Sequence, residues 1–396
     1  MRNLIISLVL FIASLLSLVS CQQSGKNTTK AVIRGNYFPF EEKVFLNEVT
    51  SANVETLDSA DISNGEEFYF EVEVSEPTVF RLAHKTLYPI MVIAETGDTV
   101  SITQADEEAW PYEVKGGPEC MLLVNYLERL NRDHHKVDSL SLIFQNSQSH
   151  PDFVNIRERL NEAFTEIYEG HKEYARKFVT EHPASIASII VLNGFFREFA
   201  LFHQHDDFKF YEIVNDALVK KMPDSKYTKD FTAQVENIRA SRDYELEAKM
   251  RLSPGRLVPD FSLPTTDGSK IGPKDLEGNN LLIYFWASTD APSRQANKIV
   301  KKAYETFSRY GFQVLAISFD KDPGFWEAAI ELDSLPGIHA TDLKGAGSPV
   351  QKLFNLKMRL PAYFLIDTKG RIFDHDRDFG KLQQKIIELY NQKQDY

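Results

Sequence analysis

The hydrophobic period changes twice along this chain of 396 residues, and a chain that changes period must divide its core among several layers. Between Ala31 and about Val114, apolar and polar residues alternate, as in Glu67-Phe68-Tyr69-Phe70-Glu71-Val72-Glu73-Val74. A two-residue period is that of a strand buried on one face. Thr78 to Leu82, Tyr88 to Ala94 and Thr99 to Thr103 read as further strands, with Asn64-Gly65 and Thr96-Gly97-Asp98 as turns. The expectation is a β-sandwich-like domain over 31–117. From 118 to 250 the apolar positions step by three and four. Phe153, Ile156, Leu160, Ala163, Ile167, His171, Tyr174 and Phe178 share one helical face. Phe208, Tyr211, Val214 and Leu218 form a second stripe, and Tyr227, Phe231, Val235 and Ile238 a third. Pro151, Pro183 and Pro223 fall between the stripes, where helices stop and start. This reads as an all-α middle domain, its aromatic stripes being core and not a cofactor box.

Ser253-Pro254-Gly255 breaks the helical pattern, and from 251 to 396 strand and helix signals alternate, which specifies an α/β layer fold. Leu281 to Trp286 is a continuous apolar run suited to a central strand. Helices are expected over Pro292 to Gly311, Gly324 to Leu332, Pro349 to Leu356 and Lys381 to Tyr390, and strands over Gln313 to Phe319 and Ala362 to Ile366.

Arg2 precedes an uncharged stretch whose apolar part runs from Leu4 to Val19. At about 16 residues it is shorter than the roughly 20 a bilayer-spanning helix needs, and it reads as a secretory signal over 1–20. It ends in Leu18-Val19-Ser20-Cys21, which resembles the bacterial lipobox. That resemblance implies cleavage before Cys21, acyl chains on Cys21, and a polar tether over 21–30. The expected partner is therefore a membrane, with the body of the protein in the periplasmic part of the cell envelope.

There are 45 basic and 57 acidic residues, a net charge of −12. No basic stripe is available for a phosphate backbone, so nucleic-acid binding is excluded. Only two cysteines occur, Cys21 and Cys120, which excludes a disulfide-stapled fold, a four-cysteine zinc site and an iron–sulfur cluster. His203, His205, Asp206 and Asp207 lack a further ligand, so they read as a solvated turn. No metal or cofactor is expected.

Four stretches of the last region carry a family resemblance: Val258-Pro259-Asp260-Phe261-Ser262-Leu263, Phe285-Trp286-Ala287-Ser288, Asp342-Leu343-Lys344-Gly345 and Leu360-Pro361-Ala362-Tyr363-Phe364-Leu365-Ile366-Asp367. In their order and spacing they resemble the membrane-anchored thioredoxin-like proteins of bacterial envelopes, the TlpA/ResA-like group of the AhpC/TSA type. The strand-rich region, with Leu57-Asp58-Ser59-Ala60, resembles the β-rich domain of unknown function that often precedes such a module. The resemblance implies a C-terminal α/β thioredoxin fold with a cis-proline at Pro361. It also implies a peptide groove formed by Trp286, Thr289, Leu360 and Pro361.

In that family a Cys-x-x-Cys pair follows Phe-Trp-Ala-Ser and the next residue. Here Asp290 and Ser293 stand at the two cysteine positions, followed by Arg294. Exchange needs a thiolate to attack sulfur and a second thiol to release the mixed disulfide, and neither is present. Asp290 is expected to cap a helix, and no catalytic residue is assigned. The leading reading is a redox-inactive thioredoxin-like module that binds a peptide or protein partner. The alternative is a thiol–disulfide oxidoreductase or antioxidant protein acting through Cys120 or an external thiol.

Overall fold

The computed structural model describes residues 29–36, 43–51, 53–62, 67–84, 89–107 and 110–391. The leader, Cys21, almost all of the tether and the Asn64-Gly65 turn lie outside the described residues. Among the described residues, no helix is long and apolar enough to cross a membrane. The chain forms two compact units, one up to Ile238 and the other Arg239–Tyr396.

The first unit opens with eight strands: β1 (Lys30–Gly35), β2 (Lys43–Val49), β3 (Val54–Asp61), β4 (Phe68–Glu73), β5 (Thr78–Ala83), β6 (Ile90–Ala94), β7 (Thr99–Glu107) and β8 (Trp110–Lys115). They form two four-stranded sheets, ordered β4-β1-β7-β8 and β3-β2-β5-β6. Alternation places Ala31, Ile33, Phe68, Phe70, Val100 and Ile102 of one sheet in a single buried core with Val44, Leu46, Phe80, Leu82 and Val92 of the other. The expected β-sandwich is therefore present. Each buried phenylalanine contributes roughly 2–3 kcal/mol by leaving water.

Helices follow: α1 (Pro118–Ser147), α2 (Phe153–Glu181), α3 (Ile186–Leu192), α4 (Phe208–Lys221) and α5 (Lys226–Arg251), with a two-residue ladder of β9 (Phe195–Phe196) and β10 (Phe199–Ala200) after α3. The sequence patterns separate sandwich from helices, yet the two share α1. Cys120 and Val124 of α1 enter the sandwich core, while Leu123 and Tyr126 enter the helical one. Tyr227 of α5 adds a polar link: its hydroxyl accepts from Val79 N–H at 2.9 Å and donates to the Val49 carbonyl at 3.0 Å.

A buried polar chain crosses the helical core. The Tyr126 hydroxyl lies 3.2 Å from His171 Nε2, and His171 Nδ1 lies 3.1 Å from Asp133 Oδ2. Burial lowers the His171 pKa and raises that of Tyr126, so a neutral imidazole accepts from the phenol and donates to the carboxylate. Burial alone would raise the Asp133 pKa. Hydrogen bonds from Lys136, Arg129 and His171 outweigh it and hold Asp133 below the usual carboxylate range.

Next to this chain, His134 stacks edge-on against Phe196. Burial first, then the charge of Arg197, lowers its pKa to about 4. Because the unfolded chain takes up this proton near 6.5, stability is complete above that pH and declines as pH falls toward 4. Discounted for partial exposure, the loss should be about 1–2 kcal/mol. Urea titrations from pH 7 to 4 are expected to show a shallower decline in His134→Phe; an unchanged slope would refute the assignment.

The second unit begins inside α5, ahead of the break expected at 250/251. Its later residues already bond to this unit: Tyr244 to the Lys352 carbonyl, Glu245 to Lys357, and Arg251 to the Leu353 carbonyl. After the short ladder of β11 (Leu263–Pro264) and β12 (Lys270–Ile271) come β13 (Asn280–Trp286), α6 (Ala291–Phe307), β14 (Phe312–Ser318), α7 (Pro323–Asp333), β15 (Ile338–Ala340), α8 (Pro349–Leu353), β16 (Ala362–Ile366), β17 (Ile372–Asp376) and α9 (Leu382–Asn391). The sheet order is β15-β14-β13-β16-β17, with β13, β14 and β15 parallel, β16 antiparallel to β13, and β17 antiparallel to β16. Leu282, Tyr284, Trp286, Val314 and Ala316 meet α6, α7 and α9 on one face. Leu281, Ile283, Phe285, Leu315 and Ile317 meet Leu263, Val350 and Phe354 on the other. Both faces are covered, which is why β13 reads as an unbroken apolar run. This is the expected α/β thioredoxin-like layer arrangement.

Candidate functional site

Parallel strands β13, β14 and β15 all end on one edge of the sheet, and the antiparallel β16 begins there. Four connections therefore converge at that edge: 287–290, 319–322, 341–348 and 354–361.

The first connection delivers Asp290 to the N-cap of α6. Its Oδ2 accepts from Ser293 N–H at 2.8 Å and from the Ser293 hydroxyl at 2.6 Å. An aspartate that satisfies the third backbone N–H of a helix contributes about 1 kcal/mol over alanine. Ser293 is wholly buried. Its hydroxyl is engaged by the carboxylate and lies 3.4 Å from Ala287 N–H, while its carbonyl accepts from the Tyr284 hydroxyl at 2.9 Å. Among the described residues no histidine is hydrogen-bonded to this pair, and a carboxylate alone is too weak a base to make serine a nucleophile. Asp290 and Ser293 thus form a cap and a sealed first turn.

Two further carboxylates fix the surroundings. Asp333, at the end of α7, accepts both Arg294 Nε at 2.6 Å and Arg294 Nη2 at 2.7 Å, and also Asn297 Nδ2 at 2.6 Å. The Arg294 hydrogen bonds lower the Asp333 pKa and raise that of Arg294. This fork holds α6 to α7. Asp320, buried just after β14, accepts from Ser288 N–H, the Ser288 hydroxyl at 2.7 Å and the Ser318 hydroxyl at 2.5 Å. It ties the loop after β13 to the end of β14. Neither carboxylate is legible from the sequence, because their partners lie 39 and 32 residues away.

The residues expected to form a groove are brought to this edge but differ in access. Thr289 is exposed and Leu360 half-buried, while Pro361 is buried after a cis Leu360–Pro361 bond. Trp286 requires a correction. It is fully buried and stacks on Tyr284 in the core. Strand parity is the reason: Leu282, Tyr284 and Trp286 share the face beneath α6. The connections at this end of the sheet also carry exposed apolar side chains. Phe325 at the start of α7 is 66% exposed, Met358 before the cis bond 41%, and Leu343 after β15 37%.

Cys120 lies elsewhere, wholly buried in the sandwich core. Burial pushes its thiol up to about 11, so at neutral pH only about one molecule in ten thousand carries a thiolate. A Cβ on Gly116 would meet its sulfur at 2.9 Å, so the backbone closes directly over it. Asp207 accepts from Arg176 and from His203 N–H. Among the described residues, no group of three His, Cys, Asp or Glu side chains converges as a metal ligand set.

Comparison with known proteins places this unit. Residues 254–375 match the AhpC/TSA family. The chain is 23% identical over 150 residues to thiol-disulfide oxidoreductase ResA of Bacillus cereus, covering 38% of this chain and 82% of that protein. It is 29% identical over 137 residues to thioredoxin-like protein YneN of Bacillus subtilis, covering 34% and 76%. Among solved structures, a thiol-disulfide oxidoreductase from Bacteroides fragilis is 32% identical, over 34% of this chain and 99% of that one, with a TM-score of 0.32. Residues 254–375 are accordingly an AhpC/TSA thioredoxin-like domain related to the thiol-disulfide oxidoreductases.

Proposed function

We propose that this thioredoxin-like domain is redox-inactive and serves as a docking module for an extended peptide or protein segment. In this reading the chain is held to the membrane of a bacterial cell envelope by acyl chains on Cys21, with its body in the periplasm. The observation that carries it is the locked Asp290–Ser293 pair, which occupies the place where exchange chemistry would start. Exposed Phe325, Leu343 and Met358, on connections at the same end of the sheet as exposed Thr289, support binding there. Apolar side chains exposed around a rigid backbone edge suit an extended segment that offers alternate side chains. The burial of Cys120 weighs against the oxidoreductase alternative through that residue.

A peptide array and an insulin-reduction assay on the purified chain test this reading. Extended apolar peptides are expected to bind, with affinity falling about tenfold in Phe325→Asp, the equivalent of one lost apolar anchor. Insulin reduction should not exceed that of dithiothreitol alone. Turnover above that background would overturn redox inactivity, and binding indifferent to Phe325→Asp would overturn the docking edge.

A further inference from the structure

A cleft of about 670 Å³ is lined by Met250, Arg251, Pro254, Gly255, Arg256, Leu257 and Arg371. It lies at the end of the sheet away from Asp290. Ile366 of β16 pairs with Leu281 near the start of β13, and the turn leading to Arg371 follows directly. Five strand residues, about 17 Å, separate it from the cis-proline edge.

The walls are fixed by backbone hydrogen bonds. Gly255 N–H donates to the Ile372 carbonyl at 2.7 Å, Ile372 N–H to the Arg256 carbonyl at 2.8 Å, and Val258 N–H to the Gly370 carbonyl at 2.9 Å. These bonds hold Arg256 and Arg371 on two antiparallel segments. Arg371 Nη1 is pinned to the Gly255 carbonyl at 2.9 Å, and Arg251 Nη2 to the Leu353 carbonyl at 3.0 Å. Each guanidinium carries five N–H donors, so these single bonds leave most of the donors available.

Among the described residues no carboxylate is part of the lining, and the Asp367 carboxylate accepts the Arg371 backbone N–H at 2.8 Å. In a chain with a net charge of −12, a cleft lined by three arginines stands out. Guanidinium forks match phosphate oxygens in pairs, and such charge-assisted bonds are about twice as strong as neutral ones. Met250 and Leu257, 57% and 62% exposed, add an apolar flank beside the charges.

We propose that this cleft is a phosphate-binding site, held by Arg251, Arg256 and Arg371. The phosphate is that of a lipid headgroup, whose chains would lie along Met250 and Leu257, or of a free phosphate group. The full chain would be titrated calorimetrically with inorganic phosphate, with dihexanoyl phosphatidic acid and with dihexanoyl phosphatidylcholine, each lipid below its micelle-forming concentration. Binding of phosphate or phosphatidic acid is expected, weakening about tenfold in Arg256→Gln and about a hundredfold in Arg251→Gln/Arg256→Gln. Both variants should melt within a degree or two of wild type, since their side chains are exposed. If Leu257→Asp weakens phosphatidic acid but not inorganic phosphate, the lipid is the source; equal retention of both assigns free phosphate. Absence of binding by both anions, or affinity unchanged by the double arginine variant, would overturn the site.

Discussion

Placing cysteine at both positions, Asp290→Cys with Ser293→Cys, should raise thiol–disulfide exchange at least about a hundredfold over wild type. The scaffold already meets the other requirements. Residue 290 sits at the N-terminus of the 17-residue α6, where free backbone N–H groups favour an anion and would lower a thiol pKa. Residue 293 lies one turn on, beneath it, where a resolving thiol must stand. Arg294 remains locked to Asp333, so α6 keeps its place when the cap is removed. Loss of the Asp290 cap should cost about 1 kcal/mol, too little to unfold the unit. Asp290→Cys alone should form a mixed disulfide without releasing it, giving one equivalent of trapped thiol and no turnover. Insulin reduction with thiol trapping reads all three proteins. A double variant no more active than wild type would mean that the edge lacks more than thiols.

Asp133→Ala should destabilise the first unit by about 3 kcal/mol, or roughly 6–12 °C in Tm for a unit of this size. The substitution strands the His171 Nδ1 proton, whose imidazole is wholly buried and has its other nitrogen engaged by Tyr126. An unpaired buried donor costs about 1–3 kcal/mol before lost packing is added. Arg129 and Lys136 can turn to solvent, being 42% and 57% exposed, so they add little. Asp133→Asn, which keeps an acceptor for His171, should lose about half as much. Because the Asp133 pKa is depressed, its contribution holds above about pH 4 and fades as pH falls through the lowered value. Urea unfolding of both variants decides the matter, and a loss below about 0.5 kcal/mol for Asp133→Ala would reduce the network to an ordinary surface ion pair.

The legible parts of this molecule are those where a single physical cause sets the pattern. β13 is readable because both of its faces are buried, and α2 because its apolar residues recur every three or four positions, those from Phe164 onward packing into the core. α1 shows no stripe because its fully buried apolar side chains cluster in its first third, at Cys120, Leu123, Val124 and Tyr126. β15 has three residues, and β17 ends in exposed His-Asp, so neither shows an apolar run. At the candidate site, the Asp290 cap is local, three residues from its partner, and its role is readable from spacing. Asp320 and Asp333 meet their partners only once the sheet has formed. Trp286 was misplaced because a fingerprint residue says nothing of which face its strand parity selects.

The division of α1 between two cores bears on how this architecture could be modified over evolutionary time. A recombination junction near 117 would sever Cys120 and Val124 from the sandwich they close, leaving oily surface on both products. Shuffling that swaps the C-terminal module while sparing its neighbours must instead join inside α5, near Ile238. The strand-rich and helical layers would thus have to move together in any such exchange.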